Sequence, residues 1–167
     1  MHENRILIHK LKNFENINSN FLIITLMLFG SILLAISAKV QVPFWPVPMT
    51  MQTFVIFLIG MTYSVRLSFA TVAFYLFQGA IGLPVFAAGG GVAYLVGPTA
   101  GYLYGMLFAS IVISYLANLG FSKTYFKATV SLLIGSAIIF SFGIIYLGYI
   151  IGFEKAVAAG LLPFIPS

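Results

Sequence analysis

The sequence predicts an all-α membrane protein, a polytopic helical bundle, from its hydropathy, its nearly charge-free apolar runs and the asymmetry of the charges between them. Of 167 residues, 61% are hydrophobic and 7% are charged, and the mean hydropathy is +1.09. Soluble domains sit nearer about 45–50% apolar and about 25% charged, so no water-soluble core absorbs the surplus. The apolar residues fall in long runs rather than one-sided stripes, and they must face lipid or one another.

Residues 1–20 read as a polar cytoplasmic tail and residues 21–167 as a single transmembrane domain. The run from Phe21 to Ala38 looks like a secretory signal at first sight. Further apolar runs follow it, so it is read as a retained first span. Runs of about 20 residues place spans near 21–39, 49–64, 66–82, 98–118 and 128–151, five crossings with the second rather short. With the N-terminus inside, the inner regions hold Arg5, Lys10, Lys12, Arg66, Lys123 and Lys127, and the outer ones only Lys39 and Lys155. That asymmetry fits the positive-inside rule. The same topology puts all seven prolines, Pro43, Pro46, Pro48, Pro84, Pro98, Pro163 and Pro166, on the outer side. Irregular backbone at membrane depth is tolerated only where protein buries it or it lines a cavity. The outer loops are therefore the place to expect a site.

Composition also excludes chemistry. There is no cysteine and no aspartate, the three acids are Glu3, Glu15 and Glu154, and His2 and His9 lie in the tail. The spans thus hold no carboxylate proton relay, thiolate, metal cluster or nucleophile–base pair, and the chain is read as a non-enzyme with no catalytic residue, no bound metal and no cofactor of its own. The net charge of +5 does not point to nucleic acid, because the basic residues are scattered rather than gathered into a stripe.

In the first outer loop, Pro43, Pro46 and Pro48 hold an extended backbone that can wall a pocket. Trp45 supplies an aromatic face with one donor, while Thr50 and Gln52 put polar groups at the start of the next helix. The plainer alternative is an interfacial anchor and a helix cap. The second loop, residues 82–99, is uncharged and carries the triple glycine Gly89, Gly90 and Gly91, which would let backbone approach a ligand and offer N–H donors. Gly90 is the expected point of closest approach, so that a valine there should weaken binding more than folding. Pro98 suits the first turn of a helix whose N-terminus attracts an anion. The bland alternative is a flexible connector.

Gly97, Gly101 and Gly105 recur every four residues, a spacing that lets membrane helices pack closely, and internal packing is the favoured reading. Ser31 and Ala35 form a similar small pair on the first span and are candidates for a partner-facing surface. Lys39, at the outer end of that span, reads as a snorkelling lysine, with a substrate carboxylate as the alternative partner.

Three stretches resemble the BioY family of biotin transporters: Val47-Pro48-Met49-Thr50-Met51-Gln52, Gly79-Ala80-Ile81-Gly82-Leu83-Pro84-Val85-Phe86 and Gly97-Pro98-Thr99-Ala100-Gly101-Tyr102-Leu103. The resemblance runs from about residue 21 to the end, including Ala158-Ala159-Gly160-Leu161-Leu162-Pro163-Phe164-Ile165-Pro166, and departs mildly at Ala100, where the family usually has glycine. It implies a six-helix S component of an energy-coupling factor (ECF) transporter in the plasma membrane, which captures biotin outside and works with a transmembrane coupling subunit and ATPase subunits. No Walker A sequence is present, in keeping with ATP being used only by partners. Family members hold the ligand between the first loop and the glycine-rich loop. The resemblance therefore makes Trp45, Thr50, Gln52, Phe86, Gly89, Gly90 and Tyr94 the candidate substrate-binding residues. A non-catalytic assembly subunit, or a carrier for another small vitamin, is the alternative.

The family pattern continues past the Pro-Phe-Ile-Pro stretch into Gly-Asp, a lysine three residues later and a sixth helix, whereas this sequence stops at Ser167. The expectation is a truncated member, folded over five spans and impaired in binding. The resemblance implies that this aspartate and lysine serve as a ureido acceptor and a carboxylate partner for biotin; each charge-assisted hydrogen bond lost costs about 1.5–3 kcal/mol, so the two together amount to roughly two to four decades in affinity.

Overall fold

The structure, a computed structural model, describes residues 19–164. The tail with Arg5, Lys10, Lys12, Glu3, Glu15 and both histidines lies outside the described residues, as does Pro166. The architecture is an all-α membrane bundle with one small hairpin. Helix α1 is Ser19–Lys39; strands β1, Gln41–Val42, and β2, Met49–Thr50, follow; then come α2, Gln52–Thr62, and α3, Val65–Ala80. A single turn, α4, Val92–Leu95, precedes α5, Ala100–Asn118; a 3-10 turn, Phe121–Lys123, leads to α6, Tyr125–Ile151, and α7 is Phe153–Gly160. The last described element is a 3-10 turn, Leu162–Phe164.

Among the described residues three helices are long and apolar enough to cross a bilayer: 20–39 within α1, then α5 and α6. The span expected over 49–64 is shorter than its hydropathy suggests, because α2 has only 11 residues and, at 1.5 Å per residue, reaches about 17 Å. The reason is the hairpin. Prolines bias the residues before them away from helix, and β1 pairs antiparallel with β2, Gln41 opposite Thr50 and Val42 opposite Met49, which satisfies backbone groups that the apolar run had assigned to a helix. Only Tyr63 and Ser64 separate α2 from α3, and the Ser64 side chain caps α3 by accepting from the Leu67 N–H.

Helix α5 is the centre of the bundle, packed on α2, α3 and α6, while α1 packs on α3. A Cβ on Gly101 would lie 2.5 Å from the Phe142 carbonyl oxygen, and one on Gly105 2.9 Å from Ile139 Cα. These two glycines therefore let the α5 and α6 backbones touch, as the four-residue spacing predicts. Gly97 belongs to the turn before α5 instead. The contact is reciprocal: Gly135 on α6 faces Ile113, and Gly143 faces the ring of Tyr102.

The small pair on α1 needs correction. Ser31 is buried and its hydroxyl donates to the Gln78 side-chain oxygen on α3, and Ala35 is partly buried against the core. Both face inward, because residues four apart share a helix face and the exposed stripe of α1 is Ile24, Leu28, Ile32 and Ile36. The surface α1 offers to lipid or to a partner is that branched-chain stripe, not the Ser31–Ala35 pair.

Candidate functional site

The hairpin, the start of α2, the start of α5, part of α6 and Phe164 enclose a cavity of about 530 Å³. Its apolar wall includes Val47, Met49, Phe57, Leu103, Met106, Ile139 and Phe140. Its polar groups are neutral: Gln41, Thr50, Gln52, Thr53, Tyr94, Thr99, Tyr102 and Ser136. Among the described residues no Asp, Glu, His, Lys or Arg lines it. Such a lining offers hydrogen bonds and aromatic faces to a small ring system, and no acid, base or metal ligand to a reaction.

A buried hydrogen-bond chain runs from the cavity into the bundle. The Thr50 hydroxyl donates to Gln52 Oε1 at 3.0 Å, Gln52 Nε2 donates to the Tyr75 oxygen at 2.9 Å, and the Tyr75 hydroxyl donates to the Val85 carbonyl at 3.0 Å. The glycine-rich loop is thereby tied to α2 and α3. It is tied to α1 as well. Lys39 Nζ donates to the Phe86 carbonyl at 2.7 Å, and Gln41 Nε2 to the Ala87 carbonyl at 3.3 Å. Lys39, exposed at the outer end of α1, thus turns its ammonium back onto the loop and gives that loop a charged donor.

Phe86 closes the loop from inside. Its ring is fully buried, set edge-on to Tyr75 with centroids 5.4 Å apart and stacked on Tyr94 at 4.9 Å. Room for that ring exists because residue 79 is glycine: a Cβ there would lie 1.9 Å from Phe86 Cζ. Behind the ring the chain doubles back in a tight turn, with the Phe86 N–H on the Gly89 carbonyl at 2.9 Å and the Gly89 N–H on the Phe86 carbonyl at 3.3 Å. Gly89 at φ 132° and Gly91 at φ 103° adopt backbone that side chains disfavour.

Of the residues singled out from the sequence, Thr50, Gln52 and Tyr94 come together on the cavity wall. Phe86 stands behind Tyr94 as a buried support. The N–H groups of Gly89 and Gly91 are spent on Phe86 and Gly79 carbonyls rather than held out as donors. Gly90 is glycine for the loop's own sake, since a Cβ there would lie 2.0 Å from the Leu83 carbonyl oxygen. A valine at 90 therefore breaks the loop before it touches a ligand, which corrects the expectation that binding would suffer more than folding. Trp45 points away. It is 88% exposed and borders a separate surface groove with Pro46, Ile151, Lys155, Ala158 and Ala159. Sequence reasoning missed Gln41, Tyr75 and Tyr102. For the two tyrosines the available signal was a hydroxyl inside an apolar run, which must find a partner when buried.

The BioY family model matches residues 10–167. The chain is 36% identical over 151 residues to the probable biotin transporter BioY of Rickettsia prowazekii, covering 90% of this chain and 77% of that protein. It is 38% identical over 135 residues to the biotin transporter BioY of Thermotoga maritima, covering 80% of this chain and 79% of that one. Its fold matches the crystal structure of the S-component for biotin from an ECF-type ABC transporter with a TM-score of 0.78 at 25% identity, over 90% of this chain and 85% of that one.

Proposed function

Because the chain belongs to the BioY family, we propose that it captures biotin outside the plasma membrane as the substrate-binding S component of an ECF-type importer. The observation that carries this reading is the neutral cavity bounded by the hairpin and the start of α5. Its volume of about 530 Å³ lies within the range of about 300–1,000 Å³ typical of small-molecule sites. Biotin's fused rings suit the apolar and aromatic wall, and its ureido group suits Thr50, Gln52 and Tyr94. The start of α5, where Thr99 borders the cavity, favours a carboxylate through the helix dipole. In this reading the protein performs no catalysis and holds no cofactor. A transmembrane coupling subunit engages its lipid-facing surface, and ATPase subunits supply the energy. The test is equilibrium binding to the purified chain of biotin, thiamine and riboflavin in parallel. Saturable binding of biotin alone is expected; equal binding of all three, or of none, would sink the reading.

The N-terminus lies on the cytoplasmic side in this reading, by the distribution of basic residues. The chain has no native cysteine, so single cysteines report topology cleanly. An impermeant maleimide should label Ala88→Cys on intact cells and Ser122→Cys only after lysis. The reverse pattern would invert the topology and leave the cavity facing the wrong compartment.

A further inference from the structure

The chain Thr50–Gln52–Tyr75–Val85 has a direction, and it is set at its buried end. The Val85 carbonyl can only accept, which commits the one proton of the Tyr75 hydroxyl at 3.0 Å. The phenol oxygen is then an acceptor, and Gln52 must turn its amide nitrogen toward it, at 2.9 Å. Gln52 Oε1 consequently faces Thr50, whose hydroxyl donates at 3.0 Å. A flipped amide would set Oε1 against a phenol oxygen with no proton to give. Gln52 and Tyr75 are 4% and 1% exposed, and a buried clash of acceptors is not relieved by solvent. Thr50 and Gln52 border the cavity; Tyr75 does not. With the chain so directed, the Gln52 side chain has one N–H left to donate, and Thr50 Oγ1, its proton spent and one lone pair facing the Gln52 backbone N–H at 3.4 Å, keeps a second lone pair to accept.

We propose that Tyr75 is a positioning residue: it orients the Gln52 amide so that Gln52 and Thr50 together read a ligand edge on which a carbonyl stands beside an N–H. The assignment rests on the biotin reading above, since a ureido ring presents that edge. It names the specificity rule of the site. A ligand whose ring carbonyl is replaced by a donor is rejected by orientation, not by size.

The experiment compares dissociation constants of biotin and 2-iminobiotin, whose protonated imine is a donor in place of the ring carbonyl, for the purified wild type, Tyr75→Phe and Gln52→Glu. The wild type should prefer biotin. Tyr75→Phe keeps the ring and frees the amide to turn over. Biotin affinity should then fall about tenfold, while 2-iminobiotin loses less, so that the preference shrinks by at least about threefold. Gln52→Glu offers acceptors only and should reverse the preference. In that background, where the two carboxylate oxygens are alike, adding Tyr75→Phe should leave the preference unmoved. A uniform fall for both ligands, no fall for either, or a Tyr75→Phe chain that cannot fold would make the phenol hydroxyl a structural group without a part in selectivity and overturn the assignment, as would a Gln52→Glu chain that still prefers biotin. A wild type that binds neither ligand overturns the biotin reading itself, whereas a biotin-selective wild type with an unmoved ratio overturns only the role of Tyr75.

Discussion

Gly79→Ala should abolish ligand binding and lower the melting temperature, although it adds a single methyl group. The ideal Cβ falls 1.9, 2.2 and 2.6 Å from three atoms of the Phe86 ring, distances at which something must move. The ring cannot swing aside, because Tyr75 meets it edge-on and Tyr94 is stacked on it. Its backbone is pinned too, by Lys39 and by the turn to Gly89. The loop therefore has to lift as a unit, and with it go the Val85 carbonyl that directs Tyr75 and the Ala87 side of the cavity. Overpacking of this kind costs about 1–3 kcal/mol, and a Phe86 ring expelled from the core forfeits roughly 1.5–3 kcal/mol more. Calorimetry and biotin titration of the variant would read both losses. Shrinking the ring separates this cause from general damage: Gly79→Ala combined with Phe86→Leu should recover part of the stability, a coupling that independent sites do not produce. A Gly79→Ala chain with wild-type melting and affinity would mean that the ring has an escape route, and the buried-support role of Phe86 would be wrong.

What the sequence made legible was set by hydropathy and by chain geometry. Runs of about 20 apolar residues are long enough to declare themselves, which is why α1, α5 and α6 stand close to their expected bounds. The start of α2 was not legible, because an apolar strand pair and an apolar helix turn have the same hydropathy, and only the pairing of Gln41–Val42 with Met49–Thr50 decides between them. Gly101 and Gly105 were legible through their spacing. Ser31 was misread because a small residue on a lipid-soluble helix suits an internal neighbour as well as an external one, and the sequence does not contain Gln78's position across the bundle. In the site, Thr50 and Gln52 were legible because polar side chains at the start of an apolar helix must serve something. Trp45 was chosen for its aromatic face and single donor and lies elsewhere, since an indole satisfies its N–H as readily at a surface as in a pocket. Tyr75 sits in the middle of an apolar run, where its hydroxyl is visible but its partners, 23 and 10 residues away in the chain, are not.

Gly101→Ala should separate α5 from α6. The Cβ would fall 2.5 Å from the Phe142 carbonyl oxygen, 2.5 Å from Tyr146 Cβ and 3.1 Å from Gly143 Cα. The obstacles include backbone, so no rotamer change relieves them. Membrane helices associate without a hydrophobic drive and rely on close van der Waals contact, which a widened gap forfeits along the whole interface. Moving the helices apart also withdraws Tyr102, which packs on Gly143 and whose hydroxyl donates to the Gly160 carbonyl at 2.8 Å. Both sides of the cavity move with them, for Thr99, Tyr102 and Leu103 come from one side of this contact and Ser136, Ile139 and Phe140 from the other. A destabilisation of about 3 kcal/mol is expected, at the upper end of overpacking, together with loss of biotin binding. Gly97→Ala is the control. It has the same chemistry four residues earlier, but there the Cβ meets only Ala93 and Tyr94 carbonyls at 3.4 and 3.5 Å, and the change should stay within about 0.5 kcal/mol. Thermal or denaturing-detergent titration of the two variants side by side would decide it. Equal curves would mean that α5 and α6 are not held by glycine contact at Gly101, and the packing argument for the cavity's far wall would fall with them.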